Sequence, residues 1–135
     1  MTEAVTGAYK EAFAQANDMI RAGEYQLALT QIDAILEVHS NDAKTHFLRG
    51  VALKQLGRHD DAVSIFRRLI NATDGVAAVH QELGYTLFAI GAVDDAIDSL
   101  RQAVAIDPKM AASWQLLGEL LYREDHEQEA AHAFR

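Results

Sequence analysis

Residues 83–108 read LGYTLFAIGAVDDAIDSLRQAVAIDP. Within this stretch Gly84 precedes Ala96 by 12 residues and Gly91 precedes it by five. Leu100 follows the alanine by four, and Pro108, the chain's only proline, follows it by 12. The same frame recurs in both directions. Ala28, Ala62, Ala96 and Ala130 are spaced by 34 residues. Ala16, Gly50, Gly84 and Gly118 stand 12 before each; Gly23, Gly57 and Gly91 stand five before, with Asp125 in the last copy. Ile32, Phe66, Leu100 and Phe134 stand four after. A period of this size marks one helical hairpin copied four times, not a single folded core.

Each spacing has a physical reason. The residues at 16, 50, 84 and 118 and the 34-spaced alanines are small where two helices must approach closely, since overpacking costs about 1–3 kcal/mol. The glycines at 23, 57 and 91 end the first helix of each hairpin in the left-handed conformation that glycine accepts. Asp107-Pro108 ends one hairpin and lets the next begin. The spacing predicts eight helices over residues 8–22 and 25–38, 43–56 and 59–72, 76–90 and 93–106, 111–123 and 127–135. Asn41-Asp42 and Asp74 are expected to cap the helices they precede. The pairs Asp60-Asp61 and Asp94-Asp95 open second helices, where carboxylates favour the positive end of the dipole.

This frame resembles the tetratricopeptide repeat, from about Tyr9 to Arg135. Leu83, Gly84, Leu87, Gly91, Ala96, Leu100, Ala103 and Pro108 carry the match in the third copy, and Trp114, Leu117, Gly118 and Leu121 in the fourth. The first two copies depart from it: Gln15 and Arg49 stand where Leu83 and Leu117 stand later, and Ser40 and Asp74 replace the proline. The resemblance implies an all-α fold, a right-handed superhelix of antiparallel helical hairpins. Residues 1–135 are expected to form a single domain with repeats over about 9–42, 43–76, 77–110 and 111–135, the last truncated. The register of copies three and four also resembles repeat segments that precede a transferase domain in some bacterial proteins, sulfotransferases among them.

Composition narrows the function. The net charge of −8 argues against general nucleic-acid binding, which needs a basic face. No apolar run is long enough to span a membrane, and the start, Met-Thr-Glu-Ala-Val, lacks the marks of a secretory signal. The absence of cysteine excludes disulfides and fits a reducing cytoplasm. No glycine loop for phosphate and no nucleophile context appears, so neither enzymatic activity nor a cofactor is expected.

In the repeat family the first helix of each hairpin lines a concave face. Carried onto this chain, that implies a partner-binding groove at Phe13, Asn17, Phe47, Leu48, Val51, Lys54, Glu82, Tyr85, Phe88, Leu116 and Tyr122. Aromatics with a few polar neighbours have the composition of interface anchors. The ligand is expected to be a protein or peptide with hydrophobic anchors. The family's chaperone clamp for a terminal carboxylate is not expected: only Asn17 matches it, while Phe13, Leu48, Ala78 and Glu82 hold the other positions. The fourth copy ends midway through its second helix without a polar cap. That implies a piece of a longer protein, such as the repeat module of an enzyme, or an edge at Leu121, Ala130 and Phe134 where two copies meet. His46 and His80 take the place that Trp114 takes in the fourth copy. Two histidines without a third ligand make a poor zinc site, so both are read as filling an aromatic slot with a hydrogen-bonded ring.

Overall fold

The computed structural model describes residues 3–72 and 76–133. These form α1 (Glu3–Arg21), α2 (Tyr25–Val38), α3 (Ala43–Gln55), α4 (His59–Ala72), α5 (Ala77–Ala89), α6 (Val93–Ile106) and α7 (Ala111–Ala133), with no strand among them. The chain divides into two compact units, Met1–Asn71 and Ala72–Arg135.

In the first unit α1 packs on α2, α2 on α3, and α1 touches α3. Its core holds Ala16, Ala28, Ile32, Ile35 and Leu48, with Tyr9, Ala12, Phe13, Met19, Ile20 and Leu36 packed against it. The alanines and glycines of the frame do what their size allows. Ala28, Ala62 and Ala96 are fully buried. A Cβ added at Gly50 would stand 2.6 Å from Phe66 Cε1 in the first unit, and one at Gly84 would stand 2.8 Å from Leu100 Cγ in the second. The two departures from the frame have polar partners. Arg49 pairs with Asp33 at 3.7 Å, and the Gln15 side-chain oxygen accepts from Gln31 Nε2 at 3.1 Å.

Three turns share one construction. Gly23, Gly57 and Gly91 have φ of +80°, +83° and +84°. The Gly23 N–H donates to the Ile20 carbonyl and the Glu24 N–H to the Met19 carbonyl; Gly57 with Arg58, and Gly91 with Ala92, repeat the pattern. This is the Schellman arrangement, which satisfies carbonyls that a helix end leaves free.

The fourth hairpin is not formed. Where helices over 111–123 and 127–135 were expected, α7 runs unbroken for 23 residues from Ala111 to Ala133. Asp125 stands where the other copies hold the turn glycine. An L side chain in the left-handed region costs about 1–2 kcal/mol, and nothing of that kind opposes continuing the helix. In keeping with this, no described atom lies within 4 Å of a Cβ built at Gly118. Of the two expected caps, one is in place. Asp42 caps α3 by accepting from the Thr45 N–H, but Val76 precedes α5 without a side-chain cap, and Asp74 lies outside the described residues. The Asp60-Asp61 and Asp94-Asp95 pairs do open α4 and α6.

Two glycines of one helical frame therefore have opposite expected substitutions. Gly91→Ala should destabilise by about 1 kcal/mol through left-handed strain, lowering Tm by roughly 4–8 °C for a unit of this size. Gly118→Ala, in open space within a helix, should stabilise by up to about 1 kcal/mol. Thermal unfolding followed at 222 nm checks both, and an equal loss at Gly118 would mean that position is packed.

Candidate functional site

The expected groove residues divide between the two units, and burial sorts them. In the first, Phe13 is half-buried against the core, with its ring 6.1 Å from that of Tyr9. Phe47 is half-buried, its ring 5.9 Å from that of the fully buried Phe66. Asn17, Val51 and Lys54 are half-buried. Leu48 is a correction: only 7% exposed, it belongs to the core formed with α1 and α2 and offers no surface to a ligand. The reason is that Leu48 packs into the core cluster with Ala16, Ala28, Ile32 and Ile35 of α1 and α2.

In the second unit Glu82, Tyr85 and Phe88 on α5 and Leu116 on α7 are half-buried, while Tyr122 is 67% exposed. Gln81 Nε2 donates to the Tyr85 hydroxyl at 3.2 Å. Burial raises the pKa of that hydroxyl, so it stays a neutral donor. Phe88 borders a cavity of about 210 Å³ lined also by Val93, Asp94, Leu120, Arg123 and Glu124. The site thus combines aromatic area with charged groups at its rim. Tyr122 stacks on His126, ring centroids 5.3 Å apart. Of the expected self-association edge, Leu121 is half-buried; the Ala130 side chain and Phe134 lie outside the described residues.

The histidine slot is a hydrogen-bonding position. A His46 ring nitrogen lies 2.8 Å from the Ser40 carbonyl oxygen, and Trp114 Nε1 donates to the Pro108 carbonyl at 2.8 Å. Both rings tie a first helix to the residue six positions upstream. His80 is partly buried, which lowers its pKa and holds it neutral. Among the described residues no group of three or more metal-ligating side chains converges.

One feature of the surface has no counterpart in the sequence reading. Ala8, Tyr9 and Ala12 on α1 and Gln31, Ala34, Ile35, Val38 and His39 around α2 line an open apolar cleft of about 380 Å³. Ala8, Ala12 and Ala34 leave space between the larger Tyr9, Gln31, Ile35, Val38 and His39 that line the rest of it. The small residues at 8, 12 and 34 were its only signal.

Comparison with known proteins agrees with this architecture. The tetratricopeptide repeat family model matches residues 13–77 and 82–135. The chain is a tetratricopeptide repeat protein. Residues 41 to the end of MamA from Desulfovibrio magneticus RS-1 superpose with a TM-score of 0.78 at 22% identity, over 93% of this chain and 71% of that one. A mutant O-GlcNAc transferase of Thermobaculum terrenum gives 0.83 at 24%, over 90% of this chain but 23% of the transferase. The first such domain of Spaghetti (RPAP3), bound to the HSP90 peptide SRMEEVD, gives 0.79 at 13%, over 87% and 93%. At these identities the likeness shows the fold. No curated protein matches the chain in sequence. Among the described residues no helix is long and apolar enough to cross a membrane.

Proposed function

We propose that the chain is a non-catalytic interaction module that holds a peptide or helix by hydrophobic anchors on the first helices of its hairpins. The observation that supports this is the partly accessible aromatic pair Tyr85 and Phe88 on α5, with Phe88 bordering a cavity that Asp94, Arg123 and Glu124 also line. Phe13, Phe47 and Val51 play the same part in the first unit, with Asn17 and Lys54 setting orientation. Leu116 and Tyr122 extend the second-unit surface along α7.

The test is selection from a displayed peptide library against the full chain, followed by the double variant Tyr85→Ala/Phe88→Ala. Selected peptides are expected to carry apolar anchors and to lose about thirty-fold or more in affinity, the scale of a hot-spot truncation, with helical content unchanged. Unfolding of the double variant would make these core residues and end the reading. The SRMEEVD peptide that RPAP3 holds is expected not to bind. Phe13, Leu48 and Ala78 stand at clamp positions without a cation, and Glu82 would repel a terminal carboxylate.

A second reading places the chain as the repeat module of a larger enzyme, with catalysis elsewhere. The transferase of Thermobaculum terrenum supports it, since this chain superposes on only 23% of that protein. Immunoblotting of the native polypeptide separates the two readings. A band well above 14.9 kDa favours the module, and one at that mass favours an array that acts alone.

A further inference from the structure

Helix α7, which contacts α6, buries Ser113, Leu117 and Leu120 and leaves another side open. Trp114, Gly118, Tyr122, Asp125 and Glu129 follow one another at separations of four and three residues, so they share one side of the helix. Every one of them is exposed, as is Glu119 beside the glycine. The two aromatic rings of this face are held before any ligand arrives. Trp114 Nε1 donates to the Pro108 carbonyl at 2.8 Å, and the Tyr122 ring stacks on that of His126 with centroids 5.3 Å apart. Rings fixed in advance lose little freedom on binding. The eight residues from Trp114 to Tyr122 span about 12 Å of helix axis, and Gly118 leaves a notch midway between them. No described atom lies within 4 Å of a Cβ built there.

The shape of the notch and the charge around it define what fits. At two other glycines of the same frame a neighbouring helix supplies a bulky apolar side chain: Phe66 of α4 lies against Gly50, and Leu100 of α6 against Gly84. A glycine on an open helix face lets a second helix approach to about 8 Å between axes, the short end of the usual range. Glu119, Asp125 and Glu129 set three carboxylates around the aromatic pair. Arg123, the only lysine or arginine of α7, lines the Phe88 cavity instead. A face with aromatic rings, carboxylates and no cation of its own complements a basic segment, whose guanidinium groups also gain from the faces of Trp114 and Tyr122. A second copy would bring the same carboxylates to this face, and each chain carries a net charge of −8. We propose that the Trp114–Gly118–Tyr122 face of α7 docks a basic amphipathic helix of another protein. The partner seats a bulky apolar side chain on Gly118 and sets lysine or arginine against Glu119, Asp125 and Glu129. This face goes beyond the anchor surface at Tyr85 and Phe88, with which it has only Tyr122 in common.

Trp114 is the chain's only tryptophan, so its emission reports occupancy of this face in the full chain. The probes are two tryptophan-free synthetic amphipathic helices with the same leucine and phenylalanine stripe, one flanked by lysine and arginine and the other by glutamate. The basic helix is expected to bind with a blue shift of Trp114, and the acidic one to bind about ten-fold more weakly or worse. Gly118→Leu fills the notch with a good helix former at an exposed position, and Glu119→Lys/Asp125→Lys reverses the charge. Each should weaken the basic helix by about ten-fold or more, with circular dichroism as in the wild type. Peptides selected for the Tyr85–Phe88 surface should bind Gly118→Leu as they bind the wild type, so the two readings fail separately. The proposal is overturned if the basic helix does not bind, if it binds without moving the Trp114 emission, or if the acidic helix binds as well. Undiminished binding to Gly118→Leu would overturn it too, by placing the basic helix elsewhere. A blue shift on concentrating the chain alone would make the occupant a second copy and likewise end the proposal.

Discussion

Phe66→Ala is expected to cost the Met1–Asn71 unit about 3–5 kcal/mol, the range for truncating a buried phenylalanine. A unit of 71 residues has roughly 4–10 kcal/mol in total, so this change alone should bring it close to unfolding at 37 °C. The more discriminating result is its coupling to Gly50. All three nearest contacts of a Cβ at Gly50 are ring atoms of Phe66, at 2.6, 2.8 and 3.3 Å. Phe66 has no exposed surface into which to retreat. In the wild-type background Gly50→Ala should therefore destabilise by about 1–3 kcal/mol, since overpacking exceeds the helix-propensity gain of alanine. In the Phe66→Ala background the clash is gone and the same change should stabilise by up to about 1 kcal/mol. A sign reversal of this kind is a coupling of about 2 kcal/mol or more, measurable by a double-mutant cycle in urea. Equal effects of Gly50→Ala in both backgrounds would show that the ring does not set the size of residue 50.

The periodicity made some features of this chain readable and hid others. Ala28, Ala62 and Ala96 could be placed at close helix contacts because the same small residue recurs where the same contact recurs, and all three are fully buried. The turns at Gly23, Gly57 and Gly91 were legible for the same reason, since only one residue type suits a φ near +80°. At Asp125 the period and the local chemistry disagree. The frame asks for a turn, the side chain resists one, and α7 continues. Leu48 shows a different limit. Helix α3 carries Phe47, Leu48, Gly50, Val51, Ala52 and Leu53 in close succession, so apolar residues occupy more than one side of it. Spacing alone cannot then separate the core side from the open one. The α1–α2 cleft left little trace in the sequence, because the three alanines among its lining residues leave space without marking it.

Asp42→Ala is the second change with a large expected effect, because one carboxylate serves three groups. It accepts from the Thr45 N–H at 3.2 Å, capping α3, and from the hydroxyls of Thr45 and Tyr9. Thr45 is fully buried. Losing the cap costs about 0.5–2 kcal/mol, and leaving the buried Thr45 hydroxyl without its partner adds about 1–3 kcal/mol. The sum is a Tm loss on the order of 10 °C for a unit of this length. Asp42→Asn keeps an acceptor and should lose far less. The same cluster fixes the pH dependence. Burial acts to raise the Asp42 pKa, but the hydrogen bonds from Thr45 and Tyr9, with His39 nearby, outweigh it and hold the carboxyl below its ordinary 3.8. Its stabilising effect is therefore fully present above about pH 4 and is lost as pH falls through the depressed folded-state value. Tyr9 is shifted the other way, by burial first and then by its bond to Asp42, so its hydroxyl sits above the ordinary 10.0. That contribution is present below pH 10 and is lost as pH rises through the raised folded-state value. Wild-type stability should fall at both extremes. In Asp42→Ala the acid limb due to this carboxyl disappears. The alkaline limb shrinks without vanishing, because burial alone still raises Tyr9. Urea unfolding at pH 3, 7 and 11 measures all three points. An Asp42→Ala chain with wild-type stability at pH 7 would show that Tyr9 and Thr45 find other partners and that α3 needs no cap.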